Sequence, residues 1–288
     1  MRSAGSSANP ALGELCVRFL IEEEYMSQQA MDKVKAIITK SGNTFHCKVL
    51  KYLQDKGWTV LISPYYNDNV SNKPREIDLI AEKAFEVKDS WTSKFSGTIN
   101  VKLFVECKYI SQKTVFWFHD KDKQKAEELV TQTTSLQADN VYTADHHYLG
   151  KMDRVAKLFS DERKKSTESE IFYKALNQSL NAMVYYRNRE LIFKFPKGRE
   201  SRIIKTVNYP VIVCNSFENL YRVEIDTHDN PSNITENFQL EVNYAYVASN
   251  GSNINEYFLI DILNFDLFDG FLEQTEVDTR LISSSRES

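Results

Sequence analysis

The chain has 288 residues, 42% of them hydrophobic and 12% aromatic, enough to bury a sizeable core in one large domain or one domain with an appendage. Its formal net charge of −4 excludes a histone-like or generally polybasic binder while leaving room for a local basic groove. No apolar run reaches transmembrane length, and no basic segment leading into an apolar core marks a secretory signal. Cys16, Cys47, Cys107 and Cys214 show neither CxxC spacing nor a disulfide framework, so the expected setting is the reducing cytoplasm, away from membranes.

The small, polar opening from Met1 to Pro10 is set outside the fold. From Ala11 to about Lys40 the pattern is helical, with Met31, Val34, Ile37 and Ile38 on one apolar face and Glu22 to Glu24 as a solvated run. Ser41-Gly42 breaks it. Asn43 or Thr44 then caps a helix carrying Phe45, Val49, Leu50 and Leu53, ended by Gly57. Trp58 to Ile62 reads as a strand, Ser63 to Pro74 as a polar turn region, and Glu76 to Ala81 as the next strand. A third strand over Ile99 to Ile110 pairs most simply antiparallel with its neighbour.

Val115 to Ser169 has a mixed pattern: Phe116-Trp117-Phe118, a charge-dense stretch from Asp120 to Glu128, and helical spacing at Val155, Leu158 and Phe159. Glu170 to Tyr186 is a helix with Ile171, Ala175, Leu176, Leu180 and Met183 as its buried stripe. Strands follow at Pro210 to Cys214, Phe238 to Ala248 and Tyr257 to Leu263, and Phe265 to Leu281 reads as a terminal helix. The expected domains are an N-terminal tail and helical segment (1–40), a core (41–216) with an insertion at about 111–169, and a β-rich extension (217–288) packed on that core.

Within these apolar strands the charges stand out. Residues at i and i+2 of a strand share a face, so Glu106 and Lys108 can meet while Val105, Cys107 and Tyr109 face the other way. Glu76 and Asp78 stand at the same spacing in Arg75-Glu-Ile-Asp-Leu-Ile-Ala81. Burying carboxylates without partners is costly. A divalent metal and a phosphodiester would supply partners.

These residues resemble the PD-(D/E)XK, or restriction-endonuclease-like, nuclease superfamily, most of all its Mrr-type and Holliday-junction-resolvase-type branches. The resemblance covers roughly Gly42 to Cys214: a leading helix, a three-strand meander with Asp78 on the middle strand, Glu106-Cys107-Lys108 on the third, then a helix and another strand. It implies an α/β fold with a central mixed β-sheet flanked by helices, to which the C-terminal strands are added. It also implies a metal-dependent DNA endonuclease that hydrolyses phosphodiester bonds, in restriction, phage defence or DNA repair. Asp78, Glu106 and the backbone carbonyl of Cys107 would be metal ligands, to Mg²⁺ or Mn²⁺. Lys108 would stand beside the attacking water and the scissile phosphate, either orienting the water or taking its proton.

Three residues extend that set. His46 occupies the leading-helix position where family members often carry Glu; it is a metal, water or phosphate contact, or a partly exposed helix histidine. Glu76 is an extra ligand or a solvent-facing residue. Gln178, between Ala175 and Ala182, is a water or phosphate contact or an ordinary interface amide, and Asn177 and Ser179 do not share its face.

Arg187, Arg189, Lys194, Lys197, Arg199, Arg202 and Lys205 form a basic stretch opposed only by Glu190 and Glu200, suited to nucleic-acid phosphates or to a solvated loop. Tyr185, Tyr186, Phe193 and Phe195 interleave with it as stacking or core residues. His146-His147 has no zinc-type partner at the right spacing, and adjacent histidines diverge, so a structural role is expected. Asp261 is a buried charge with no assigned role. Two other functions stay open: an inactive nuclease-like module binding DNA or protein, and an RNase or structure-specific resolvase. A homodimer would suit double-strand cleavage.

Overall fold

The computed structural model describes residues 28–38, 42–69, 71–88, 95–134, 136, 141–150, 152–162, 171–188, 203–227, 230–248 and 250–284. The chain divides into two compact units, residues 1–44 and 45–288. In the first, helix α1 (28–38) carries the expected apolar residues, yet Met31, Val34, Ile37 and Ile38 are all exposed. The readings made for residues 1–27 lie outside the described residues.

Helix α2 (Asn43–Asp55), which enters the second unit at Phe45, buries Phe45, Val49 and Leu53. Gly57, with φ of 81°, closes the helix: Trp58 N–H donates to Leu53 C=O at 3.0 Å and Gly57 N–H to Gln54 C=O at 2.9 Å. That pair of bonds is the Schellman arrangement, and it needs a residue that tolerates the left-handed region. Then come β1 (Thr59–Ile62), β2 (Tyr65–Asn67), β3 (Pro74–Glu76), β4 (Leu79–Lys88) and β5 (Phe95–Lys108). β1, β4 and β5 are the expected antiparallel meander. β2 and β3 make a separate two-stranded hairpin; β2 lies inside the stretch that the sequence marks as a polar turn, and β3 runs from its last residue into the start of the strand expected at Glu76.

Beyond β5 the chain forms β6 (Thr114–Asp120), α3 (Lys123–Thr134), the short α4 (Val141–Ala144) and α5 (His147–Gly150), and β7 (Arg154–Asp161). The helical spacing at Val155, Leu158 and Phe159 is overturned, because those residues lie in β7. Between Trp117↔Leu158 and Phe118↔Ala156, Lys157 is an extra residue on β7. Val155 and Ala156 are buried in opposite layers, and the bulge then returns Phe159 to the layer of Ala156, three residues on, which breaks the two-residue alternation that would have marked a strand. α6 (Ile171–Tyr186) then crosses to β8 (Ile203–Cys214), which lies parallel to β5. β9 (Leu220–Glu224), β10 (Ser232–Asn233), β11 (Phe238–Val247), β12 (Asn253–Asn264) and α7 (Phe268–Ser284) complete the chain.

The fold is α/β, built on one ten-stranded mixed sheet in the order β1-β4-β5-β8-β12-β11-β7-β6-β9-β10. The β11–β12 hairpin lies between β8 and β7, so the stretches read as core, insertion and extension interleave in a single sheet. Two apolar layers cover it. Phe104, Ile80 and Ile212 pack with α6 on one face. Leu79, Leu103 and Val105 pack with α2, α3 and α7 on the other. Even-numbered residues of β5 therefore face α6. Lys102 makes a buried ion pair with Glu82 at 3.1 Å on that face. Among the described residues no helix is long and apolar enough to cross a membrane.

Phe172 anchors α6, wholly buried with its ring edge-on to Phe116 at 4.9 Å. Phe172→Ala is expected to cost about 3–5 kcal/mol in chemical denaturation, the range for emptying an aromatic site that cannot collapse.

Candidate functional site at the end of β5

Asp78 reaches β5 because the chain bends before entering β4. Ile77 N–H donates to Pro64 C=O at 3.3 Å and Ser63 N–H to Asp78 C=O at 2.9 Å, which folds the β2–β3 hairpin away from the main sheet. The strand expected over Glu76 to Ala81 is thus interrupted, and Glu76 and Asp78 do not share one strand face. Asp78 sits one residue before the β4–β5 ladder starts at Leu79↔Val105. Its side chain replaces the missing strand neighbour: Oδ2 accepts the Cys107 N–H at 2.7 Å. In return its own N–H points at Glu106 Oε1 at 3.4 Å.

Glu106 is fully buried, and Lys108 Nζ donates to its Oε2 at 2.5 Å. The i, i+2 reading of these residues and the Asp78 position therefore come together around one strand end. Burial lifts the Glu106 carboxyl to about 8, Asp78 adding to the rise and the Lys108 ammonium opposing it. Burial would lower Lys108, but Glu106 and Asp78 outweigh it and hold the ammonium above its usual range.

Cys107 points its thiol the other way, into the layer with α2 and α7, where burial pushes it well above its ordinary range. Its backbone is another matter. N–H and C=O of one strand residue lie on the same side. Since Lys108 C=O accepts Asn215 N–H at 3.0 Å on the β8 side, the Cys107 carbonyl lies on the opposite side, where its N–H meets Asp78. Two carboxyl groups and a carbonyl beside one ammonium make an oxygen-rich site, the donor set that suits Mg²⁺ once Glu106 gives up its proton.

The remaining candidates divide. Gln178 Nε2 donates to Glu76 C=O at 3.0 Å, so the amide fastens the hairpin leading into Asp78. Ser179 also works toward the sheet, donating to Phe104 C=O at 2.9 Å. Glu76 pairs with the Tyr65 hydroxyl across the hairpin, raising that phenol. His46 is on α2, whose buried stripe packs on the face opposite Glu106, and its Nε2 is buried with no hydrogen-bond partner among the described residues. Tyr66, buried in the hairpin, is a neighbour that the sequence reading passed over: burial and then Glu106 raise its hydroxyl.

Arg187 is committed inside the protein, to Glu256 at 2.8 Å and the Tyr246 hydroxyl at 2.8 Å. Arg189, Lys194, Lys197, Arg199 and Arg202 lie outside the described residues, as do Phe193 and Phe195. Tyr186 donates to Tyr65 C=O at 2.5 Å, and the Tyr185 ring lies 6.3 Å from that of Tyr66.

The expectation that His146 and His147 diverge is overturned. A bend at Asp145-His146 ahead of α5 brings the rings to 5.1 Å in a stacked arrangement, both toward Asp278 of α7. Asp261 gains its partner here as well, 3.2 Å from His147 Nε2.

No family model, curated protein or solved structure matches this chain. The site must speak through its own chemistry.

Because the Glu106 carboxyl is raised in the folded state, the folded chain keeps that proton at pH values where the unfolded chain has lost it. The associated stability is present below about 4.5 and is lost as pH rises through about 8. In EDTA, wild type is expected to lose melting temperature relative to Glu106→Gln from pH 5 to pH 8 and to run parallel above it. A constant difference across that range would refute the assignment.

Proposed function

We propose that the protein is a metal-dependent DNA endonuclease with a restriction-endonuclease-like core, hydrolysing phosphodiester bonds. The observation that carries this reading is the meeting of Asp78, Glu106 and Lys108 at one strand end, with Glu106 wholly buried. The path of the chain supports it: α2, the β1–β4–β5 meander, then α6 crossing to β8 parallel to β5. The inserted β2–β3 hairpin, the placement of His46 and the far half of the sheet are this chain's own additions.

Asp78, Glu106 and the Cys107 carbonyl would hold Mg²⁺, or Mn²⁺ in its place, which when bound supplies positive charge for the pentavalent phosphorus and a more acidic water. Lys108 keeps its proton and adds a second positive charge beside the phosphate, so it orients and stabilises; the raised ammonium makes it a poor base. Gln178 positions Asp78 by tying down the hairpin. The Tyr66 hydroxyl stays neutral and can donate toward the carboxylate or the substrate. Duplex DNA is the proposed substrate, and the cytoplasm the proposed compartment.

Supercoiled plasmid is expected to be nicked or linearised with Mg²⁺ or Mn²⁺ and not in EDTA. Lys108→Ala is expected to reduce the rate by about 10²–10³-fold while circular dichroism and melting stay native-like. Unchanged cleavage in the variant refutes the site. Silence on plasmid, branched and single-stranded DNA and RNA refutes the nuclease and favours a binding module.

Proton and metal compete for Glu106. Stabilisation by Mg²⁺ is therefore expected to grow from pH 6 to about 8 and then level off, read as the shift in melting temperature at fixed Mg²⁺.

A further inference from the structure

We propose that His146, His147 and Asp278 form a second metal site, for a zinc-type divalent ion, on the sheet face opposite Glu106. It does not depend on the nuclease reading.

Three ligand-bearing groups converge in a dry interior. His146 and Asp278 are 1% and 0% exposed and His147 is 7%. One ligand atom from each lies within 4.8 Å of the others. A tetrahedral ion with bonds of about 2.0–2.1 Å sets its ligand atoms about 3.3 Å apart. His146 Nε2 and Asp278 Oδ2 are already 3.4 Å apart. His147 Nδ1 and the same Oδ2 are closer, at 2.5 Å, because a proton joins them. An ion in the place of that proton requires them to part by under about 1 Å.

The surroundings fit a ligating pair. His147 Nε2 faces Asp261 Oδ2 at 3.2 Å, so an imidazole bound through Nδ1 keeps its proton on Nε2 and gives it to a carboxylate. Such a carboxylate behind a histidine fixes the ring and makes it a better ligand. Asp278 is oriented in turn by the His147 N–H on Oδ1 at 3.1 Å and the Tyr209 hydroxyl on Oδ2 at 3.1 Å. His146 Nε2 is the telling atom: buried at the centre of this cluster, it has no hydrogen-bond partner among the described residues. A cavity of about 40 Å³ adjoins the cluster on the His146 side, lined there by His146, Tyr148 and Tyr209.

Two imidazoles select the ion. They suit Zn²⁺, Co²⁺ or Ni²⁺ over Mg²⁺, which prefers oxygen donors, so the two sites would not compete for one metal. Without an ion, a protonated His147 between Asp261 and Asp278, with Lys121 near Asp261, makes a charge-balanced cluster of its own. Loading has a defined proton balance. The proton shared by His147 and Asp278 leaves to solvent. The His146 proton moves from Nε2 to Nδ1, because Nδ1 accepts the Tyr148 N–H at 3.2 Å in the metal-free form, and that backbone bond is given up.

The test uses the full chain, stripped with chelator and titrated with Co²⁺ and Zn²⁺. The expected results are uptake of about one ion per chain with visible tetrahedral Co²⁺ bands, release of about one proton per Zn²⁺, and retention of both in Glu106→Gln. His146→Gln gives up the Tyr148 bond and the ring contacts with His147 and Tyr148, with melting to verify folding; it should lower affinity more than about a hundredfold. Asp278→Asn is the second variant, with melting to verify folding. No Co²⁺ uptake by the wild type, or uptake unchanged in folded His146→Gln, would overturn the site.

Discussion

Glu106 stands third from the end of β5, out of contact with water, bonded by the Lys108 ammonium and approached by the Asp78 N–H. An ionised carboxylate in such a place is held only by charge and hydrogen bonds, and one ammonium does not offset both burial and a neighbouring carboxylate. The site therefore holds a proton at neutral pH in the absence of a cation. Several features of the chain answer to that constraint: the bend at Asp78, the hairpin that creates it, and the Gln178 bond that fixes the hairpin.

A sheet of this width lets its two faces differ. On the α6 face the polar chemistry is oxygen-rich and lies at a strand end, beside the β2–β3 hairpin. On the other face, His146, His147, Asp261 and Asp278 join β12, α5 and α7 in a closed cluster. The first arrangement lies near the surface, with Lys108 partly exposed beside it. The second fits a fixed junction, since each of its members is buried and most are tied to another.

The meander and its site were legible in the sequence because they rest on local signals. Gly57 stops α2 through its positive φ, apolar alternation marks β5, and the i, i+2 rule joins Glu106 to Lys108. What was not legible depends on distant partners or on breaks in regularity. The Lys157 bulge disguised β7, and the bend at Asp78 hid the hairpin. Insertion and extension looked separable because nothing near β12 in sequence says that it pairs with β8. His147 and Asp278 are 131 residues apart, so their contact left no spacing to read. Arg187 looked like a phosphate contact until Glu256 and Tyr246 stood beside it.

The central claim is that buried Glu106 and Asp78 stand ready for a divalent cation. Electron paramagnetic resonance of Mn²⁺ bound to the protein, with Zn²⁺ present to occupy any imidazole site, tests it most directly. The account requires bound Mn²⁺ in the wild type and its loss in both folded Asp78→Asn and folded Glu106→Gln. Equal Mn²⁺ binding in all three proteins would contradict it.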